Sequence, residues 1–220
     1  ILASALSKSQ SVTPPAHHRL TQTVSRLSCM VKVMDVLVGF EQSQEVTAAF
    51  IANGHNAMSC DLYYPGEKGL PHYQGDIFDL LNRRWDLIIL HPPCTYTALC
   101  GNRWYWNSPL RQEGIDLCVR AWNEARKCSD RVALEQPKTI MQRYLGKRSQ
   151  TIHPWQFGHP ETKETWLWLH GLPPLEPTNI VDGREHRIWK MPPSPDRQKE
   201  RSKTFSGIAQ AMGFQWNFAS

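Results

Sequence analysis

Apolar residues in this chain come in two patterns. Short unbroken aliphatic runs, bounded by Gly, Pro, Asn or Asp, fit strands buried on both faces of a parallel sheet. Longer stretches with apolar residues every three or four positions fit helices packed on that sheet. Val31–Val38 predicts the first strand. The turn Gly39-Phe40-Glu41-Gln42-Ser43 then leads into a helix striped by Val46, Ala49 and Phe50, with Ser43 placed to cap it. Asn53-Gly54 stops that helix, and Ala57–Cys60 predicts a second strand ending at Asp61. Tyr63–Tyr73 predicts a loop, and Gly75-Asp76-Ile77 opens a third unit with a short helix over Phe78–Asn82. Asp86–Leu90 predicts the next strand, and Pro109–Lys127 has helical spacing at Leu110, Ile115, Leu117, Val119 and Trp122. Arg131–Leu134 predicts a strand that ends at Glu135-Gln136-Pro137, followed by a short helix over Ile140–Leu145. Thr165–Leu169 predicts a late strand, Gly171–Lys203 mostly Pro-rich loop, and Phe205–Gly213 a final helix. Strands alternating with helices imply an α/β fold around a mainly parallel, doubly wound sheet.

Composition adds bounds. The 220 residues suit one catalytic-sized domain over 30–220. Residues 1–29, rich in Ser, Thr, Gln and Pro and weakly periodic, read as a disordered extension, with Met30 as a natural start. They lack the apolar core of a secretory signal, and no stretch approaches the ~20 apolar residues of a membrane span. The six cysteines form no CxxC frame, which suits reduced thiols in a cytoplasm. His91 with Cys94 has no matching second pair for zinc. The formal charge of +5 owes +3 to Lys8, Arg19 and Arg26, so the body is only mildly basic.

The chemistry centres on Asp86–Arg103. There the apolar run Leu87–Leu90 stops at His91-Pro92-Pro93-Cys94. Prolines cannot continue a sheet, so the chain turns out at the strand's carboxyl end and presents a thiol. Carboxyl ends of strands in open α/β sheets are where ligands collect. A lone cysteine is most often a small buried apolar residue. Here Glu135 follows a second apolar strand, 41 residues later, also beside a proline. A thiolate adding to an electron-poor ring while a carboxyl protonates a ring nitrogen is covalent catalysis with general-acid help. Desolvation at the strand end is expected to raise the Glu135 pKa toward the working pH. Gly39 is the only glycine of the first turn, which disfavours a dinucleotide and tolerates a smaller nucleoside ligand. Asp61 then takes the place of the ribose-binding acid, and Asp76 could accept an adenine amino hydrogen.

These residues resemble the cytosine-C5 DNA methyltransferase family, in particular its short phage and prophage members. Pro92-Pro93-Cys94 through Gly101-Asn102-Arg103 resembles the PPCQxFSxxGxR motif, and Leu134-Glu135-Gln136-Pro137 the ENV motif. Phe157–Leu167 is similar to the YGxPQxRxR segment, and Phe205–Ala211 to the C-terminal GNAV segment. The resemblance spans about residues 31–216. It implies a Rossmann-like, S-adenosylmethionine-dependent methyltransferase fold. It implies Cys94 as nucleophile at cytosine C6, Glu135 on N3 and the exocyclic amine, and Lys163 for a motif arginine near the base. S-adenosyl-L-methionine is expected over Gly39, Phe40, Glu41 and Ser43, with Asp61, Asp76, Pro92 and Gly207 also around it. DNA, duplex or single-stranded, is the expected partner, in the cytoplasm of a bacterial or phage-infected cell.

The sequence departs from that pattern in ways that keep alternatives open. The asparagine of ENV is Gln136, and Thr165 replaces the second motif arginine. Only about 30 residues stand where the family inserts a recognition domain, which leaves specificity open to a separate partner. That segment carries seven Lys/Arg from Arg184 to Lys203. Arg197, Lys199 and Arg201 there, with Arg103, are the expected nucleic-acid contacts. Two other readings stand beside the first. An amino-methyltransferase would use His91–Cys94 as a variant of the D/N/S-PP-Y motif. A catalytically inactive nucleic-acid-binding relative would have kept only the fold.

Overall fold

The structure, a computed structural model, describes residues 32–218. The expected extension over 1–29 lies outside the described residues. Strands β1 (Asp35–Gly39), β2 (Asn56–Asp61), β3 (His72–Gln74), β4 (Leu87–Leu90) and β5 (Val132–Pro137) pair in parallel. β6 (Gln150–Ile152) and β7 (Thr165–His170) complete the sheet, and β7 is antiparallel to both its neighbours. The order is β3-β2-β1-β4-β5-β7-β6. This mostly parallel, doubly wound sheet with helices on both faces and a reversed β7 is a Rossmann-like α/β architecture.

Alternation along the strands builds two cores. Val36 and Val38 of β1, Leu87 and Ile89 of β4 and Ala133 of β5 face one side. There they meet α1 (Glu45–Ala52) and the last helix. Leu37, Ile88, Leu90, Val132 and Leu134 face the other, against the long helix Pro109–Cys128. These strand residues are fully buried, so both faces had to be apolar and the runs could not alternate with polar residues.

The remaining helices are α2 (Asn102–Tyr105), α3 (Pro109–Cys128), α4 (Gln142–Leu145), α5 (Arg187–Lys190), α6 (Arg197–Ser202) and α7 (Ser206–Gln215). Several expectations need correction. Helix α1 starts at Glu45, and Ser43 does not cap it. The cap comes instead from Glu41, whose carboxylate accepts from Val46 N at 2.7 Å and Thr47 N at 3.2 Å. The short helix expected over Phe78–Asn82 is a 3-10 turn at Ile77–Asp79. β3 lies partly within the expected loop, because a three-residue edge strand with one paired neighbour carries no hydrophobic alternation. The segment Gly171–Lys203 is not all loop but includes α5 and α6. β5 continues through Glu135, Gln136 and Pro137. Past Leu134 its β4 neighbour has left the sheet, so these residues pair only with β7 and Pro137 meets no second ladder.

Candidate active site

Register brings the site together. Gly39, Leu90 and Leu134 stand side by side, at the carboxyl ends of β1 and β4 and at the last β5 residue that pairs with β4. The next residues, Phe40, His91 and Glu135, therefore form a rim, and His91 N still donates to Gly39 O at 3.0 Å. Pro92 and Pro93 then lead to Cys94. Gln136, buried to 1% exposure, fixes this turn: its amide donates to Pro92 O and its oxygen accepts from Thr97 Oγ1 at 3.3 Å. Cys94 O accepts from Thr97 N and Ala98 N. Thr97 O in turn accepts from Ile140 N at 3.0 Å and Thr139 Oγ1 at 2.9 Å. The cysteine thus sits on a turn stitched to the segment after β5, which restricts the positions its sulfur can take. Gln136, where the motif it resembles has asparagine, has a specific task here.

His91 was missed as a partner of Glu135. Its Nδ1 lies 2.9 Å from Glu135 Oε2, and the two side chains are 10% and 11% exposed. His91 Nε2 is buried and has no hydrogen-bond partner among the described residues. The signal was present in sequence: in adjacent parallel strands, the first residue after Leu90 must stand beside the first after Leu134. The expected rise in the Glu135 pKa is corrected. Desolvation is the largest influence and raises it, but the His91 hydrogen bond and the nearby Lys163 charge prevail, and the net shift is downward. Glu135 is ionised at neutral pH. Its contribution to stability is present above the ordinary carboxylate range and is lost as pH falls through its lowered folded value.

The Cys94 thiol moves the other way. Burial foremost, then the Glu135 charge, push it up to about 11, against a smaller opposing pull from Lys163. Lys163 and Glu135 also line one small cleft with Thr165, Thr204, Phe205 and Ile208. Lys163 Nζ donates to Lys203 O at 3.3 Å and lies 6.0 Å from the Phe205 ring centre. The structure therefore brings the three expected catalytic residues into mutual electrostatic reach. A direct test follows from the signs. At one mildly alkaline pH, alkylation of Cys94 followed by peptide mass spectrometry should run faster in Glu135→Gln and slower in Lys163→Ala than in the parent.

The expected cofactor residues divide. Phe40 (φ 61°) and Gln44 (φ 55°) hold the turn after β1 in left-handed conformations unusual for side-chain-bearing residues. Gln44 is fully buried: its amide donates to Ser59 Oγ and Leu70 O and accepts from Lys68 N and Leu70 N. It ties the turn to the loop after β2, and sequence reasoning missed it. Gly39 is closely packed: a Cβ there would lie 2.0 Å from Ile77 Cδ1, so that buried side chain would have to shift. Asp61 Oδ1 accepts from Tyr63 N and Tyr64 N, and Asp76 Oδ1 accepts from Phe78 N. Both carboxylates lie near Cys60 and help push its thiol up to about 12, behind the dominant effect of burial. Glu41 serves the helix start with both oxygens, and Ser43 is buried. Pro92 is held through its carbonyl by Gln136.

Gly207 has a packing reason of its own. A Cβ there would fall 1.8 Å from Phe157 O, and its N–H donates to His159 Nε2 at 3.1 Å. Gly207→Ala should cost about 1–3 kcal/mol in chemical denaturation, the scale of core overpacking.

The basic residues are less available than expected. Lys199 pairs with Glu67 at 2.9 Å, and Arg197 Nε donates to Met191 O at 2.9 Å. α6 is thereby pinned toward the Gln44-held loop. Arg201 is half-buried, and Arg103 is exposed and stacked on Trp104 at 4.7 Å.

No protein-family model matches the chain, and no curated protein matches it in sequence. Among solved structures it is similar to the Entamoeba histolytica methyltransferase EhMeth, with 12% identity and a TM-score of 0.45 over 68% of this chain and 58% of that one. It is similar to the S. pombe Dnmt2 methyltransferase, with 11% identity and a TM-score of 0.42 over 72% and 54%. It is also similar to the bifunctional kinase-methyltransferase WbdD, with 12% identity and a TM-score of 0.44 over 66% and 36%. The chain thus spans between about a third and three fifths of the length of these proteins.

Proposed function

We propose that this protein transfers a methyl group to C5 of cytosine in DNA, through a covalent adduct at Cys94. The observation that carries the reading is the rim on which one parallel register aligns Phe40, His91 and Glu135, with Cys94 on a braced turn beside it. S-adenosylmethionine would be held by the turn after β1 and by Asp61 and Asp76. The donor set fits: carboxylates near the ends of β2 and β3 suit ribose hydroxyls and an adenine amine, and a strained turn offers its backbone. When bound there, this group supplies an electrophilic methyl.

The residues' protonation states fix where the proton of the first step starts. Addition of Cys94 Sγ to cytosine C6 breaks the C5–C6 double bond, removes the thiol proton and requires a proton at N3. Cys94 holds its proton because its pKa is raised, and Glu135 lacks one because its pKa is lowered. The pair carries the one proton the step needs, and transfer from Sγ to N3 by way of Glu135 leaves the net charge unchanged. C5 then becomes nucleophilic and takes the methyl. Loss of the C5 proton to solvent lets sulfur depart, and return of the N3 proton to sulfur by way of Glu135 restores both the ring and the thiol. His91 would orient Glu135 toward the base, and Lys163 would stabilise negative charge built up beside it.

The test is product analysis. Labelled methyl from S-adenosylmethionine should appear in DNA as 5-methylcytosine after digestion and chromatography. Label found as N4-methylcytosine or N6-methyladenine would replace this reading with the amino-methyltransferase one.

A further inference from the structure

Beside the Cys94 turn lies a second concavity that the chemistry above does not use. It measures about 660 Å³, within the range of sites that hold small organic groups. Leu99 and Ile140 lie in its wall, and Trp106, Arg111, Arg143 and Tyr144 line it, from the 3-10 turn after Cys94, the start of α3 and the region of α4. Among the described residues, its lining holds two arginines and no acid. Trp106 is 70% exposed and Tyr144 49%, unusual for rings of this size. Arg111 Nη1 is buried and has no hydrogen-bond partner among the described residues. Buried donors are nearly always satisfied, so the Arg111 guanidinium at the groove wall keeps hydrogen-bonding capacity to spare. The groove is also joined to the nucleophile: Leu99 N donates to Lys138 O, and Ile140 N to Thr97 O, with Leu99 and Thr97 five and three positions after Cys94.

We infer that this groove binds the single-stranded stretch of nucleic acid that flanks the target base. Bases stack on Trp106 and Tyr144, and phosphate oxygens accept from Arg111 and Arg143. The inference rests on the reading of the chain as an enzyme acting on cytosine in nucleic acid. Charge complementarity selects a polyanion, and the exposed rings select one whose base faces are free. Bases in a duplex are already stacked on each other and offer only edges and backbone. The groove also lies on the Cys94 side of the molecule's chemistry, whereas Lys199 of the basic C-terminal segment is engaged by Glu67.

The test is fluorescence anisotropy with a labelled, cytosine-free single strand of about 12 nucleotides, a length within known site sizes. Trp106→Ala and Tyr144→Ala should each weaken binding about tenfold, the scale of losing one base–aromatic stack. Trp106→Phe should restore most of the affinity, and melting temperatures should stay at the parent value. The matching duplex should bind more weakly and ignore these substitutions. Equal affinity for strand and duplex, unchanged affinity in both alanine variants, or equal competition by a polyglutamate of the same charge would each overturn the inference. Adduct formation on a 5-fluorocytosine substrate is read separately. If the variants lose strand affinity while the parent never forms an adduct, the groove stands and the methyl-transfer reading falls. If adducts form and the variants bind as the parent does, the reading stands and the groove falls.

Discussion

Cys94→Ser is expected to abolish methyl transfer while S-adenosylmethionine affinity, measured by calorimetry, stays at the parent value. The loss should be on the order of a millionfold, the scale seen when a covalent nucleophile is removed from a concerted set of groups. A serine hydroxyl is a poorer nucleophile and holds its proton far more tightly than even this raised thiol. Nothing else in the change is large. The oxygen is slightly smaller than sulfur, and the backbone of the turn is held by Gln136, Thr97 and Thr139 independently of the side chain. A stable fold with intact cofactor binding and no turnover is therefore the expected phenotype. Turnover near the parent rate would remove Cys94 from the chemistry.

The second large effect is expected at Glu135. Glu135→Gln should slow the chemical step by about a hundredfold to ten-thousandfold, the usual worth of a positioned acid or base. The amide keeps the shape and one hydrogen bond from His91, but it can neither take up the thiol proton nor pass one to N3. The same substitution removes the negative charge that helps raise the Cys94 thiol, so the sulfur becomes more readily ionised even as turnover falls. That opposition is diagnostic: faster alkylation and slower methylation in one variant separate proton transfer from nucleophile activation. Because the two residues serve one step, the double variant Cys94→Ser with Glu135→Gln should be scarcely worse than Cys94→Ser alone.

Much of this arrangement was legible in sequence. The aliphatic runs at Val36–Val38, Leu87–Leu90 and Val132–Leu134 have to be buried on both faces, which alone implies a parallel sheet covered by helices. The proline-ended turns after two of those strands located Cys94 and Glu135 at one edge. What sequence could not convey depended on pairs far apart in the chain. The sign of the Glu135 shift turns on His91, 44 residues away, and on Lys163, and desolvation considered alone points in the wrong direction. Glu41 looked like a turn residue facing a ligand, but the cap that α1 lacks from its own Gln44 drew its carboxylate to the helix. α6 and its ion pair with Glu67 were hidden because charged, Pro-flanked residues such as Arg197–Ser202 carry no apolar period. β3 and β6 are three-residue strands whose identity comes from their neighbours' edges, not from their own composition.

The central claim is that Cys94 forms a carbon–sulfur bond to a cytosine ring. The most direct measurement is intact mass spectrometry of the protein after incubation with S-adenosylmethionine and an oligonucleotide carrying 5-fluorocytosine. Fluorine at C5 cannot leave as a proton does, so the adduct is trapped after methyl addition. The account predicts one covalent species whose mass equals protein plus oligonucleotide plus a methyl group, mapping to Cys94 and missing in Cys94→Ser. Methylation of ordinary cytosine DNA with no such species, or a species that persists in Cys94→Ser, would contradict it.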